Sequence, residues 1–218
     1  MGQDLAEYLN PDSGSKEGDR EVAELAREVA GTASTRAQAA VRLFEFVRDS
    51  IAYSPYVPFW DLDHYRPVEV LRRGSGYCVQ KSALLCALAR AVNIPARLSF
   101  ADVENHLVGE KLFNYLGTNL MTFHCMAELC LAGRWLKATP SFERPLCRAR
   151  GWRLTEFDGV HDALLPARDL SGRPHITYLR YHFTSAQVPL KELLAAWNKV
   201  YGRERVERWR AELEKASP

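Results

Sequence analysis

"RGSGYCVQKSALLCALARAVNIPAR", residues 73 to 97, sets a cysteine behind two glycines and at the mouth of an apolar helix. After Cys78, residues Leu84, Leu85, Leu88 and Val92 recur on one broad face, with Ala83, Ala87 and Ala91 beside them. That is the spacing of a helix packed against neighbours. Asn93, ahead of Ile94 and Pro95, predicts its end. An alanine at position 78 would serve such a helix as well, so the thiol calls for another reason. Free amides and the macrodipole at a helix start favour an anion, which predicts a lowered thiol pKa and a reactive thiolate. Gly74 and Gly76 allow a close backbone approach, and the N–H groups around Gly76 and Tyr77 are candidate oxyanion donors. A small buried cysteine under a turn is the competing reading of Cys78.

A thiol nucleophile needs a base, and the stretch "TFHCMAELCLAGRWLKATP", residues 122 to 140, offers one. It reads as two strands joined by a tight turn at Ala132 and Gly133. Alternate residues of a strand share a face. Phe123, Cys125, Ala127, Leu129 and Leu131 form an apolar set that faces a core, so His124 lies on the other side with Met126 and Glu128. Glu128 falls opposite Lys137 and reads as a cross-strand ion pair. A satisfied structural histidine is the alternative for His124, and the reading kept for most of the other five. Cys86, Cys125, Cys130 and Cys147 are read as packing cysteines.

Around these two segments the chain is ordinary for a globular protein. Apolar residues make up 47% and charged residues 26%. The 29 Lys and Arg nearly balance the 27 Asp and Glu, for a net charge of +2, which argues against a nucleic-acid partner. No apolar run suggests a membrane span, and the first ten residues show no signal-peptide pattern. With five cysteines, an odd number, and no leader, a reducing cytoplasmic location is expected. No Cys-x-x-Cys pair supports a metal site, and no cofactor is implied. Residues 1–65 read as a helical part followed by an aromatic loop, 66–142 as a catalytic core, and 143–218 as a loop-rich extension ending in one amphipathic helix packed on that core. In the loop, Tyr53, Tyr56, Phe59 and Trp60 are candidate walls of an apolar substrate pocket, with plain core packing as the alternative.

A helix-start cysteine, a strand, a strand-borne histidine and a G-x-W hairpin ending in proline resemble the transglutaminase-like superfamily of papain-type cysteine enzymes. The likeness rests on "GSGYC", "NIPARL" and "FHCMAELCLAGRWLKATP" and covers about residues 66 to 142. It implies an α+β fold, the nucleophile helix packed on an antiparallel sheet, with additional helices as a lid or brace. It also implies that Cys78 is the nucleophile and His124 the base. The family usually sets an Asp four residues past the hairpin Trp, where this chain has Thr139. Thr139 can orient an imidazole but cannot neutralise its cation. Asp102, at the end of the preceding strand "ARLSFAD", is the preferred third catalytic member, with Asn105 and His106 behind it.

Thiolate, imidazole and oxyanion donors together support acyl-thioester chemistry. Size and the missing Asp are similar to the bacterial Dieckmann cyclases of tetramate and pyridone biosynthesis, which make antibiotic scaffolds. That likeness implies release of a polyketide–peptide chain from an acyl or peptidyl carrier protein bearing a phosphopantetheine thioester. Arg72 and the "RRGSG" run would meet such an acidic partner. A cysteine protease or amidohydrolase is the alternative, and a non-catalytic binding module with a decayed site is the second.

Overall fold

The computed structural model describes residues 5–10 and 15–216. Two helices come first, α1 (Lys16–Ala30) and α2 (Arg36–Ser50). Each is started by a side-chain cap: Gly18 N donates to Ser15 Oγ and Gln38 N to Thr35 Oγ1, both at 3.1 Å. Such caps satisfy donors that have no intrahelical partner. The short strand β1 (Ala52–Tyr53), the aromatic loop and α3 (Pro67–Arg73) lead to β2 (Ser75–Gly76), which pairs parallel with β1. Then follow α4 (Cys78–Ala91), β3 (Ala96–Asn105), α5 (Glu110–Leu116), β4 (Leu120–Leu131), β5 (Arg134–Ala138) and α6 (Arg144–Arg150). β6 (Ile176–Ser185), α7 (Leu190–Tyr201) and α8 (Arg203–Ala216) complete the described chain.

The main sheet is antiparallel throughout, in the order β5-β4-β3-β6. The hairpin turn lies where the sequence places it: Leu131 pairs with Arg134, and Ala132 and Gly133 both take positive φ, as a two-residue turn between twisted strands requires. α4 packs on β4 and is covered by α1, α2 and α3. It is buried on nearly every side, which makes it the central helix of the core. Its polar residues are therefore tied down. Lys81 Nζ donates to Arg48 O at 3.0 Å and Ile51 O at 2.5 Å, satisfying carbonyls at the end of α2 that lack helical partners. Gln80 donates to Pro58 O (2.9 Å) and His64 O (3.0 Å), which pins the aromatic loop to α4. Ser82 Oγ donates to Cys125 O at 3.2 Å and fixes the helix against β4. The expected α+β arrangement, with the cysteine helix on an antiparallel sheet, is the one observed.

Two expectations about the last third are corrected. Residues 176–185, read as loop, form the fourth strand of the sheet. The single C-terminal helix is two helices, broken at Gly202 with φ +87°. Leu193 and Tyr201 of α7, with Val206 and Trp209 of α8, join the same buried cluster as α1, α2 and α4. A smaller cluster, including Met126, Phe142, Trp152 and Ile176, covers the other face of the sheet. Among the described residues no helix is long and apolar enough to cross a membrane.

Candidate active site

Cys78 is the first residue of α4, and the two glycines before it do separate jobs. Gly74 sits in the left-handed region (φ +64°) and ends α3. Gly76 lets Gln80 approach closely: a Cβ there would lie 3.1 Å from Gln80 Cβ and Oε1 and would force that side chain to shift. Tyr77 N donates to that same Oε1 at 3.3 Å. Tyr77 N is therefore engaged within the turn, which corrects its assignment as an oxyanion donor. The amides of Cys125, Val79 and Cys78 itself act on the sulfur and favour its anion. Burial outweighs them and pushes the Cys78 thiol up to about 11, so the lowered pKa expected from the helix start is corrected too: desolvation of a thiolate wins over three amides.

His124 reaches the same cavity from β4. Ala101 of β3 pairs with His124, and the next pair in register is Val103 with Met121, so both strands are irregular there. Phe123 takes φ +56°, a conformation that non-glycine residues hold only when their surroundings enforce it. Asp102, in that irregular segment, supplies the enforcement. Its Oδ1 accepts from Thr122 Oγ1 (2.6 Å) and Phe123 N (3.2 Å) and lies 2.9 Å from His182 Nε2. The imidazole that Asp102 meets is thus that of His182, which also packs its ring on Phe123 at 4.6 Å. Desolvation is the largest influence on Asp102 and raises its pKa, but the bonds from Thr122, His182 and Phe123 together leave it below the ordinary value. Asp102 makes no hydrogen bond to His124 and reaches it through the backbone of Phe123.

The ring of His124 is buried, with Nε2 lacking any hydrogen-bond partner among the described residues. Burial lowers its pKa to about 4. Beside it, edge-on at 6.0 Å between centroids, is Tyr178 of β6. The Tyr178 hydroxyl accepts from Leu165 N at 3.2 Å. Thr139 is fully buried; its Oγ1 is close enough to the Tyr178 hydroxyl to favour the phenolate but falls short of hydrogen-bond geometry. The ring beside His124 is thus that of Tyr178, and among the described residues no carboxylate is hydrogen-bonded to its Nε2. Tyr178 is the site residue that sequence reasoning missed, because its strand was read as loop.

Cys78 and His124 line one cavity of about 70 Å³. Tyr53 and Phe59, expected as pocket walls, line it as well. Tyr56 and Trp60 do not: Tyr56 packs on Tyr115 at 4.9 Å and lines a second cavity next to this one, and Trp60 packs on Phe59 and His64. The remaining roof comes from Tyr115 of α5 and from Trp197, Tyr201 and Trp209 of the last two helices. Tyr115 and Trp209 stack at 4.7 Å, and Trp209 Nε1 donates to Tyr115 O at 3.0 Å. At about 10–15 Å³ for each water-sized group, the cavity holds roughly five of them.

The other chemistry-bearing residues lie apart from this cavity. His106 Nε2 meets Thr177 Oγ1 at 2.9 Å. Asn105 Oδ1 accepts from Leu107 N at 3.0 Å. Glu128 is bound by Arg97 at 2.7 Å and lies 3.9 Å from Lys137. All five cysteines are free thiols. Among the described residues, no group of three or more His, Cys, Asp or Glu side chains is placed to hold a metal ion.

The family model of the transglutaminase-like superfamily matches residues 23–140, more than half of the chain. No curated protein matches the sequence. Among solved structures, the chain is similar to a "Putative Cysteine Protease" from Cytophaga hutchinsonii, at 14% identity and a TM-score of 0.49, over 85% of this chain and 56% of that one. It is also similar to a "putative protease" from Parabacteroides distasonis, at 16% identity and a TM-score of 0.43, over 63% of this chain and 26% of that one. The chain thus spans just over half of the first protein and about a quarter of the second.

Proposed function

The chain belongs to the transglutaminase-like superfamily, and from that premise we propose that it is a cysteine-dependent acyl-transfer enzyme that carries its acyl group as a thioester on Cys78. The observation that carries this reading is the convergence of Cys78 and His124, from α4 and β4, on one aromatic-walled cavity. Both groups rest neutral at pH 7, since burial pushes the thiol up to about 11 and the imidazole down to about 4. Proton transfer from sulfur to His124 therefore accompanies attack. The sulfur bonds to the substrate carbonyl carbon, the carbonyl oxygen takes the charge, and the amides beside the sulfur receive it. His124 then returns the proton to the departing thiol or amine, leaving the acyl group on Cys78.

For the second half-reaction we infer Dieckmann closure. His124 takes a proton from the carbon between two carbonyls. The carbanion attacks the Cys78 thioester, a carbon–carbon bond forms, the carbon–sulfur bond breaks, and the thiolate is reprotonated. A carbanion and a thioester both need a dry site, and the walls from Tyr53, Phe59, Trp197 and Trp209 favour one. A carrier-bound thioester is the donor class this chemistry suits. Arg72 lends no special support to carrier docking, because Glu69 (2.9 Å) and Glu21 (3.3 Å) already hold it. Hydrolysis of an amide, as a cysteine protease or amidohydrolase, is the second reading. It is favoured by the adjoining cavity, whose lining mixes charged and amide side chains with apolar ones and so has places for water.

The test is mass spectrometry after mixing the protein with a β-ketoacyl-aminoacyl thioester. The expected result is an acyl adduct on Cys78 and a ring product, with neither in Cys78→Ala. Free acid alone, or cleavage of an unactivated peptide, replaces cyclisation by the hydrolytic reading. A normal rate in Cys78→Ala defeats both.

A further inference from the structure

The thiol cavity is too small for the substrate the proposed reaction requires. About 70 Å³ holds the reacting carbonyl and a few neighbouring atoms. A second cavity of about 360 Å³ adjoins it, and Tyr53, Pro55, Leu112 and Met121 wall both. Its lining differs in chemistry. Arg150, the last residue of α6, and Lys111 of α5 line it, against Glu110 as its acidic wall residue. Arg150 has no carboxylate partner among the described residues. Its guanidinium lies over Gly109, where an added Cβ would sit 3.4 Å from Nη1. Lys111 has none either, and its ammonium lies 4.7 Å from the ring of Tyr56. Asn105 is buried at 1% exposure in the same wall. Its oxygen already accepts from Leu107 N, so the polar end it has left is a donor.

We propose that this second cavity is a substrate subsite for an anionic group, a carboxylate or a phosphate, carried at a distance from the reacting carbonyl. The inference rests on the acyl-transfer reading for the position of that carbonyl. Two exposed cations without carboxylate partners and a buried amide donor in the lining of one chamber select an oxyanion, and Arg150 has the geometry to bind it in two-point fashion. The Phe142 and Trp152 walls receive the apolar stretch between. The anion has two sources, a carboxylate at the end of the acyl chain or a phosphate on the arm that bears the thiol.

The experiment uses the full chain with Cys78→Ala and three unreactive amide probes, read by isothermal titration calorimetry. One probe carries a terminal carboxylate on its acyl chain, one a phosphate on the other arm, and one a carboxamide in place of either. At least one anionic probe is expected to bind tenfold or more tightly than the neutral one, and which one does assigns the source. Adding Arg150→Gln and Lys111→Gln is expected to bring that ratio below threefold, whereas Arg20→Gln on α1 leaves it unchanged. Equal affinities, no saturable binding by any probe, or a preference that survives the double substitution overturns the proposal. Since the probes cannot acylate sulfur, failure of acylation in the wild-type protein defeats the reaction reading alone.

Discussion

At the level of single residues, the neighbours of His124 decide what each substitution should do. A positioned base contributes roughly 10²–10⁴-fold, so His124→Ala is expected to slow Cys78 acylation by that factor in single-turnover mass spectrometry. Asp102 acts one step away, by holding the strained Phe123 that aims His124. Displacing a catalytic group by an ångström costs about 10²-fold, which sets the scale expected for Asp102→Ala. Asp102→Asn keeps an acceptor for Thr122 and Phe123 N and should lose less. An equal loss in both variants would instead make the carboxylate charge decisive. Thr139 gives the opposite pattern. Its buried hydroxyl has no partner, and leaving such a group unpaired costs about 1–3 kcal/mol. Thr139→Val should therefore unfold no earlier than wild type in urea. Cys78 and His124 stood out as candidates through their places, at a helix start and on the face of a strand turned from the core, whereas Thr139 was found only as the position where the resembled family carries an Asp. The partnership of Asp102 with His182 was not legible, since the strand that brings His182 alongside was unread.

The elements show where sequence patterns carry a fold and where they fail. α4, β4 and the β5 hairpin were readable because each buries one side or all sides against the core, so apolar periodicity marks them directly. β6 hides because it is an edge strand in which Leu179, Tyr181 and Phe183 alternate with Arg180, His182 and Thr184, yet that apolar set is exposed; the alternation is present but does not mark a buried face. The two last helices look like one amphipathic run because Gly202 breaks the backbone without breaking the pattern. That break lets α8 turn Trp209 onto Tyr115 of α5, with Arg205 donating to Asn114 O and Tyr115 O at 3.2 Å. α5, α7 and α8 thus form an aromatic roof over the thiol. Replacing a buried Trp by Ala costs about 3–5 kcal/mol, so Trp209→Ala should melt earlier. It should also widen access to the cavity: Cys78 alkylation by iodoacetamide is expected to be faster than in the wild-type protein. An unchanged alkylation rate would mean that the roof does not control access.

For the molecule as a whole, the buried imidazoles set how stability follows pH. His124 and His175 are both buried, and burial lowers each to about 4. His175 packs against both Trp152 and Phe142, with neither ring nitrogen hydrogen-bonded among the described residues. An unfolded histidine titrates near 6.5. Between about pH 6.5 and 4 the unfolded chain therefore binds protons that the folded chain excludes, and by linkage folding stability falls as the pH is lowered through that window. Above pH 6.5 both states are neutral at these rings and their contribution is flat. The depressed carboxyls, such as Asp49 and Asp102, act at lower pH, because their acid form must first appear in the unfolded chain near its ordinary value of about 3.9. Urea unfolding at pH 7, 6, 5 and 4.5 should thus show a steady loss of stability before the carboxyls titrate. His175→Phe keeps the ring stacking and removes one titrating site, so its stability should decline less steeply over the same range. If the two proteins lose stability in parallel, His175 is charged in the fold and the stack around it is open to water.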